Sequence, residues 1–178
     1  MVTLTELQSA AVAGISAAIP SLAQCEPYAG QFAGDAGGRV AIHAPAVLVA
    51  ILGCKPLSDP GTGQFDVSCR MAAYVLARFA NDRNKREAGC VDLAEAVAVL
   101  IHQNNWGLAG VGCARINQLQ GMTNITADKA GFSIWSVTWD QDIRLGAAPV
   151  NDYGPLTDVR IGQPPAVGAG HEADYVPA

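Results

Sequence analysis

Charged side chains are scarce in this sequence. Lysine and arginine number 11 and aspartate and glutamate 16, together 15% of the 178 residues, and the formal charge is −5. Proteins that hold DNA by neutralising its phosphates need clustered cations, which this acidic chain does not supply. A surface with so little charge also does little to keep copies of a chain apart, which favours self-association.

The cysteine patterns of metal sites and disulfide frameworks are missing too. The five cysteines are odd in number and widely spaced, with no Cys-x-x-Cys pair. We therefore expect free thiols, used as small core residues in a reducing compartment. They are Cys25, Cys54, Cys69, Cys90 and Cys113.

Motifs for catalysis, cofactor binding and membrane insertion are also absent. The histidines His43, His102 and His171 are scattered, and no phosphate-binding lysine loop occurs. No run approaches the roughly 20 apolar residues that span a bilayer, and no secretory signal is recognisable. We predict no catalytic, cofactor-binding or metal-binding residues, no enzyme activity and no membrane association, and we expect the protein to be made in a cytoplasm.

The longest pattern in the sequence is an alternation of apolar and polar residues from Gln64 to Phe79. It is typical of a half-buried strand, and at about 3.3 Å per residue it would be about 50 Å long. The apolar run from Pro45 to Leu52 precedes it across a Gly/Pro-rich connector, Gly53 to Gly63. We interpret the two runs as a long antiparallel hairpin, whose over-long strand either bends or projects beyond the body of the domain.

Shorter patterns complete a prediction of two helices and further strands. Thr3 and Glu6 have the spacing of a capping box before a helix that ends at Pro20. The charged cluster Asn81 to Glu87 is predicted to be a solvated loop. The other predicted elements are an edge strand or irregular extended segment within Leu22 to Phe32, a helix from Val91 to Gln103, and strands at Ala114 to Leu119 and Gly131 to Leu145.

These elements predict an α+β fold, an antiparallel sheet with the long hairpin, packed on one face by two helices. We assign residues 1–145 to this domain. From Gly146 to Ala178 the periodicity disappears and five of the ten prolines occur. This segment is interpreted either as a disordered end or as an arm that orders against a neighbouring molecule.

Asp140 and Asp142 share one face of the last predicted strand. Such a pair could act as general acid and base, but nothing apolar beside them would separate their pKa values. An ordinary solvated strand face is therefore favoured. Trp135 and Trp139, on the other face, are expected in the core rather than in a ligand platform.

Several strings, taken in order, resemble the tail-terminator family of Mu-like phages and prophages. No single string has the specificity of a catalytic motif, so the likeness depends on their order along almost the whole chain. They are the first helix, with Leu4, Leu7 and Ile19, the run that starts at Pro45, the strand that starts at Phe65, the helix Leu93 to Ile101 with its exit Trp106 to Gly110, the strand Trp135 to Gln141, and the segment Pro164 to Tyr175.

This resemblance implies a ring, six-membered in the family, at the head-proximal end of a phage tail. The ring would end polymerisation of the tail tube, contact the head-completion or connector protein, and contact the sheath where the tail is contractile. DNA would pass through its lumen without specific binding, and the protein would be assembled in the host cytoplasm and reside in the tail or neck of the virion.

Two further hypotheses concern the surfaces of such a ring. The hairpin would contact the tube-facing side, and the arm from Gly146 would cross to an adjacent protomer. The acidity of the chain fits a lumen that repels phosphate, and Asp66, Asp140 and Asp142 are candidates to line it. Another neck protein, such as a head-completion or stopper subunit, and a small cytoplasmic enzyme of unknown substrate remain alternatives.

Overall fold

A computed structural model describes residues 2–28, 42–78, 83–122 and 131–147, with 160–161, 170 and 176–177. The chain divides into two compact units, Met1–Ala148 and Pro149–Ala178. Among its described residues, the first unit contains two helices, α1 (Leu4–Ala18) and α2 (Arg83–Ile101), and five strands, β1 (Gln24–Pro27), β2 (Ala46–Ser58), β3 (Phe65–Ala77), β4 (Arg115–Gly121) and β5 (Ser133–Leu145).

The five strands form one sheet in the order β1-β2-β3-β5-β4. The pairs β2–β3, β3–β5 and β4–β5 are antiparallel, whereas the edge strand β1 runs parallel to β2. The predicted α+β class is confirmed, with a mixed sheet in place of a purely antiparallel one. Pro27 lies at the end of β1, where its missing N–H costs the sheet little.

The hairpin is longer on its first side than predicted. The strand β2 continues six residues past Leu52 to Ser58, through part of the segment predicted to be a connector. Its partner β3 has 13 residues, about 43 Å at the usual rise per residue. Phe79, the predicted end of that strand, lies outside the described residues.

Both helices pack on the same face of the sheet, as predicted. The core between the layers takes Leu7, Ala11 and Ile15 from α1 and residues such as Val97 and Ile101 from α2. The sheet side of this core includes Val47 and Val49 of β2, the predicted alternate residues of β3 from Val67 to Ala77, and Val137, Trp139 and Ile143 of β5. Trp139 is fully buried and Trp135 packs at the margin, so both tryptophans have the predicted core role.

The ends of the helices test two local predictions. At α1 the capping box is present, because the Thr3 hydroxyl accepts from the Glu6 N–H and the Glu6 carboxylate accepts from the Thr3 N–H. At α2 the prediction of a solvated loop is wrong from residue 83 onward, since the helix begins at Arg83. Arg86 is buried and Glu87 accepts a 2.9 Å hydrogen bond from the Trp135 indole, so the charged cluster packs against the sheet.

A buried glutamine holds the loop after α2 against the sheet. Gln141 of β5 is fully buried, and its Oε1 accepts from the indole N–H groups of Trp106 (3.0 Å) and Trp139 (3.2 Å). Its Nε2 donates to the carbonyl oxygens of Asn104 and Gly112. Because both acceptor and both donor positions are used, the amide is satisfied although it is buried. The Trp106 ring lies so close to α1 that a Cβ at Gly14 would be 2.8 Å from it.

The second unit contains a short antiparallel pairing of its own. Its strands, β6 (Arg160–Ile161) and β7 (Val176–Pro177), pair Arg160 with Pro177 and Ile161 with Val176. Most of the predicted arm lies outside the described residues, including His171 and the segment 164–169. The assignment of 146–178 as an arm that crosses to a neighbour therefore stays a prediction.

Candidate assembly surfaces

The end of the β2–β3 hairpin carries exposed apolar side chains. We call residues 52–66 the distal hairpin. Every residue from 55 to 63 is exposed, so the helices do not cover this end. Leu52, Leu57 and Phe65 are 50%, 55% and 44% exposed. Three large apolar side chains on one uncovered hairpin are a candidate surface for another protein.

Two irregularities place the leucines outside the regular ladder. The β2–β3 register shifts between Ile51 and Gly53 and again between Pro56 and Ser58. Leu52 and Leu57 are the extra residues at these bulges. A bulge bends the strand, increases its twist and redirects the extra side chain. At the turn, Asp59 accepts from the Gly61 N–H and Ser58 donates to Asp66, which fixes the tip of the distal hairpin locally.

The sheet face opposite the helices carries three ion pairs near this end, which we call the ion-pair ladder. Each joins an arginine to a carboxylate of another strand through two hydrogen bonds, a geometry stronger than a single contact. The pairs are Arg70 with Asp140 (3.1 and 3.3 Å), Arg115 with Asp142 (2.8 and 2.8 Å) and Arg144 with Asp66 (2.7 and 2.9 Å).

The ladder changes the interpretation of the three predicted lumen candidates. Asp66, Asp140 and Asp142 do share one surface, but each is paired with an arginine, so these six residues carry no net charge. The repulsion of phosphate that the hypothesis requires would have to come from other acidic residues. The arginines are about half exposed, with side-chain values of 51–57%, so they also face solvent or a partner.

The ladder also excludes an acid–base division between Asp140 and Asp142. Hydrogen bonds from Arg70 lower the pKa of Asp140, and those from Arg115 lower the pKa of Asp142. Hydrogen bonds from Arg144 and Ser58 lower the pKa of Asp66 to about 2. All three carboxylates are therefore ionised at neutral pH, and none is kept protonated as a general acid must be.

Replacing Arg144 by glutamine should raise the pKa of Asp66 from about 2 toward its ordinary 3.8, though not fully, because Ser58 still donates. In the native protein the folded-state pKa is the lower one. The contribution of this pair to stability is therefore complete above about pH 4 and is lost as the pH falls toward 2. Carbon NMR of the Asp66 carboxyl during an acid titration measures the shift.

Arg70→Gln is the matched control for this titration. It removes an arginine of similar exposure from the same face, and it should raise the pKa of Asp140 while leaving that of Asp66 low. An Asp66 pKa that stays near 2 in Arg144→Gln would show that the arginine is not its main determinant.

A shallow groove connects the distal hairpin to the ladder. Its volume is about 410 Å³, and its lining includes Leu57 as well as Asp66, Asp142 and Arg144. The groove therefore combines one apolar wall with paired charges. This continuity makes the hairpin end and the ladder one extended surface.

Other exposed apolar residues are separate from this surface. Val99, on α2, is 72% exposed, and Leu119 and Met122 lie on or just after the edge strand β4 at 39% and 41%. Single apolar side chains on a surface are common and need no partner. Val99 is therefore useful as a control position.

The described residues offer little for other chemistry. They contain no group of three or more histidine, cysteine or acidic residues that could hold a metal ion. His43 and His102 are exposed in different loops, before β2 and after α2, and His171 is outside the described residues. None of the helices described is both long and apolar enough for a membrane span. Cys25, Cys54, Cys69, Cys90 and Cys113 are free thiols. Cys69 and Cys90 are buried in the core as predicted, whereas Cys113 is exposed, so the predicted core role is wrong for it.

Sequence reasoning identified part of this surface and missed part. Asp66 was placed only on the polar face of its own strand, whereas the hairpin and the shared face of Asp140 and Asp142 were predicted from alternation. The bulges, the arginine partners and the Gln141 contacts were not. Alternation assigns residues to faces, but only the register between strands shows that Asp66 meets Arg144.

Comparison with known protein sequences identifies relatives of this chain. The profile of the family described as "Bacteriophage Mu, Gp37" matches residues 3–143. The "Mu-like prophage FluMu protein gp37" of Haemophilus influenzae (strain ATCC 51907 / DSM 11121 / KW20 / Rd) is 26% identical over 166 residues, covering 80% of this chain and 84% of that protein.

Among solved structures, a chain of the "Virion of native gene transfer agent (GTA) particle" has a similar fold. The TM-score is 0.54 at 14% identity, and the match covers 78% of this chain and 95% of that chain. At this identity the likeness concerns the fold alone. The family profile, by contrast, covers well over half of the sequence, and the predicted kinship with Mu-like phage proteins is confirmed: the chain belongs to the bacteriophage Mu Gp37 family.

Proposed function

We propose that this protein is a structural component of a phage-like virion, the tail terminator, and not an enzyme. Membership of the Mu Gp37 family supports a phage origin, and the fold is shared with a chain of a virion particle. The ordered resemblance to tail terminators supports the more specific role. In this role the protein works by assembly, and its functional residues are those of its interfaces.

The observation that carries the proposal is the distal hairpin. A soluble protein that worked alone would gain nothing from an uncovered hairpin end with Leu52, Leu57 and Phe65 exposed. A subunit that must contact a polymer needs such a projecting apolar surface, rimmed by polar groups. The ion-pair ladder supplies that rim, since the groove joins it to Leu57. We assign the distal hairpin to the surface that faces the tail tube.

The terminator would act as a closed ring, with six subunits as in the family it resembles. A ring uses a heterologous interface, in which one patch of each subunit meets a different patch of the next at an angle that closes. The segment 146–178 is the proposed donor to the adjacent protomer. The other side of the ring would face the head-completion or connector protein, and the sheath would be a partner only in a contractile tail.

DNA would pass through the ring without specific binding. The overall charge of −5 fits a channel that does not retain phosphates. The ion-pair ladder is not the source of that repulsion, because its charges are balanced. Its arginines are held by carboxylates, which also makes them weak anchors for DNA.

A head-completion or stopper subunit is the second candidate. It would also be a small ring-forming phage protein, and the exposed distal hairpin would serve it equally well. Purified tail-tube protein separates the two roles, because a terminator stops tube growth and a stopper leaves it unchanged. A small enzyme is a poorer fit, since the three aspartates are all ionised and paired.

Removing the second unit should weaken the ring. A chain that ends at Ala148 keeps the whole first unit, including the hydrogen bond from Gln64 to the Gly146 carbonyl. We expect the full chain to sediment as a closed oligomer and the shortened chain to dissociate at about tenfold or more higher concentration, as loss of one interface element implies. Analytical ultracentrifugation measures this, and circular dichroism checks that the shortened chain is folded.

An unchanged ring from a folded chain that ends at Ala148 would contradict the role of the second unit. A full-length protein that remains a monomer at high concentration would contradict the ring itself.

A further inference from the structure

Two cysteine side chains face each other across the distal part of the sheet. Cys54 of β2 is the direct register partner of Cys69 of β3, just beyond the bulge at Leu52. The Cys54 thiol is near enough to raise the pKa of Cys69, and both side chains pack against the helix-side core. Neither residue was singled out by its sequence spacing, because 14 residues separate them along the chain.

Their arrangement suits a disulfide with only a small local adjustment of the backbone. Directly opposed residues of antiparallel strands have Cα atoms about 4.5–5.5 Å apart, within the range found in disulfides, but Cβ atoms about 4.5–5.5 Å apart, which must approach to about 4.5 Å or less. The bulge next to Cys54 gives the strand local freedom to bring the sulfur atoms together. The other described cysteines have no such partner: Cys25 and Cys90 interact with backbone carbonyls, and Cys113 is exposed.

The two thiols also differ in access. Cys54 is partly exposed and Cys69 is fully buried. Burial, with the neighbouring Cys54 thiol, raises the pKa of Cys69 above its usual range. Cys54 is therefore the thiol that a dissolved oxidant reaches. Cys69 lies directly opposite it and is placed to displace the leaving group, although its raised pKa makes this second attack the slower step.

We propose that Cys54 and Cys69 form a redox site that closes as an intramolecular cross-strand disulfide when the protein leaves a reducing environment. The oxidant is a low-molecular-weight disulfide such as glutathione disulfide. The Cys54 thiolate attacks it and releases one glutathione thiol. The Cys69 thiolate then attacks the Cys54 sulfur of the mixed disulfide and releases the second. Two protein thiols are oxidised, and one small disulfide is reduced to two thiols.

The consequence concerns the proposed assembly surface, and in this respect the inference rests on the proposed function. A virion subunit is assembled in a reducing cytoplasm and then released to an oxidising medium. The bridge would link the two strands at the base of the distal hairpin. The subunit would thus be able to adjust this hairpin during assembly and would hold it fixed afterwards.

The test uses the purified full chain with Cys113→Ser, which removes the exposed thiol that could link two molecules. After treatment with glutathione disulfide and alkylation of the remaining thiols, trypsin should release residues 40–70 as one peptide, because Pro56 blocks cleavage after Lys55. This peptide contains Cys54 and Cys69 and no other cysteine. It should carry no alkyl group, and its mass should be about 2 Da lower than that of the same peptide with two free thiols, because two hydrogen atoms are lost.

The bridge should also raise the midpoint of thermal unfolding by about 5 °C, because it closes a loop of about 15 residues in the unfolded chain. Reductant should reverse both changes. Cys54→Ser in the same background is the control, and it should show neither. The control replaces Cys54 and not Cys69 because Cys54 is partly exposed, whereas a serine at the buried position of Cys69 would disturb folding.

Full alkylation of Cys54 and Cys69 after oxidation would overturn the redox site. So would bridges that join other cysteines, or a stable mixed disulfide at Cys54 that Cys69 does not resolve. Disulfide formation is measured on the isolated chain and does not depend on assembly. A failure of the protein to cap tubes would therefore contradict the proposed function but not the proposed redox site.

Discussion

Leu52→Asp combined with Leu57→Asp should leave the subunit folded but abolish its attachment to tail tubes at working concentrations. Both side chains are at least half exposed at bulges, so the free subunit loses little packing. At an interface, each aspartate would have to lose its water without a prepared partner. A combined loss of about 2 kcal/mol or more raises the concentration needed to stop tube growth about 30-fold.

Val99→Asp is the control for this variant. It also replaces an exposed apolar residue, at 72% exposure, but on α2. It should stop tube growth at the same concentration as the native protein. Denaturant unfolding should place all these variants within about 0.5 kcal/mol of the native free energy of unfolding. Normal capping by the folded double variant would show that the distal hairpin is not the tube-binding surface.

The largest effect on stability is expected from Gln141→Leu. The side chains are similar in size, but leucine cannot accept from the indoles of Trp106 and Trp139 or donate to the carbonyls of Asn104 and Gly112. Each buried polar group left without that partner costs about 1–3 kcal/mol, partly offset by the added apolar burial. We expect a total loss of about 3 kcal/mol and an unfolding midpoint about 6–12 °C lower.

Gln118→Leu, on the exposed edge strand β4, is the matched substitution, and it should change the free energy of unfolding by no more than about 0.5 kcal/mol. Denaturant titrations followed by tryptophan fluorescence suit both variants, since two tryptophans contact Gln141. If Gln141→Leu were as stable as the native protein, the loop after α2 would be held by other contacts than these hydrogen bonds.

The sequence predicts best where one physical effect decides the structure. In β3 and β5, one face packs on the helices and the other carries the polar residues toward the distal end, so alternation identified both strands. Ala72, Leu76 and Ile134 on that other face are buried as well, which alternation did not predict. In α1, the capping box and the spacing of Leu7, Ala11 and Ile15 located the helix within two residues. These patterns are local, so they can be identified in the sequence without knowledge of the tertiary contacts.

The failures occurred where packing overrides local preference. Gly53 and Pro56 indicate a connector, yet β2 continues through them because it pairs with β3 and bends at two bulges. The charges near Arg86 indicate a solvated loop, yet they start a helix whose Glu87 binds Trp135. The parallel pairing of β1 involves only four residues, too few for periodicity to show it.

The candidate assembly surface shows the same contrast between local patterns, which the sequence predicts, and contacts between strands, which it does not. The shared face of Asp140 and Asp142 was predictable, but their proximity to Asp66 was not, because it depends on which strands pair. Which arginine pairs with which aspartate depends on the register between the strands. That register depends on bulges that no pattern in the sequence predicts. Gln141 lies on the apolar face of β5 by alternation, so the signal for its role was a polar residue at a core position.

The proposed role as a tail terminator is tested most directly by the effect of this protein on growing tail tubes. Electron microscopy of tube protein polymerised with the purified full chain measures it. We predict one closed ring at one end of each tube, with elongation arrested at that end. Tubes that grow to unlimited length with no ring bound, or subunits incorporated along the tube wall, would contradict the proposal that this protein is a tail terminator.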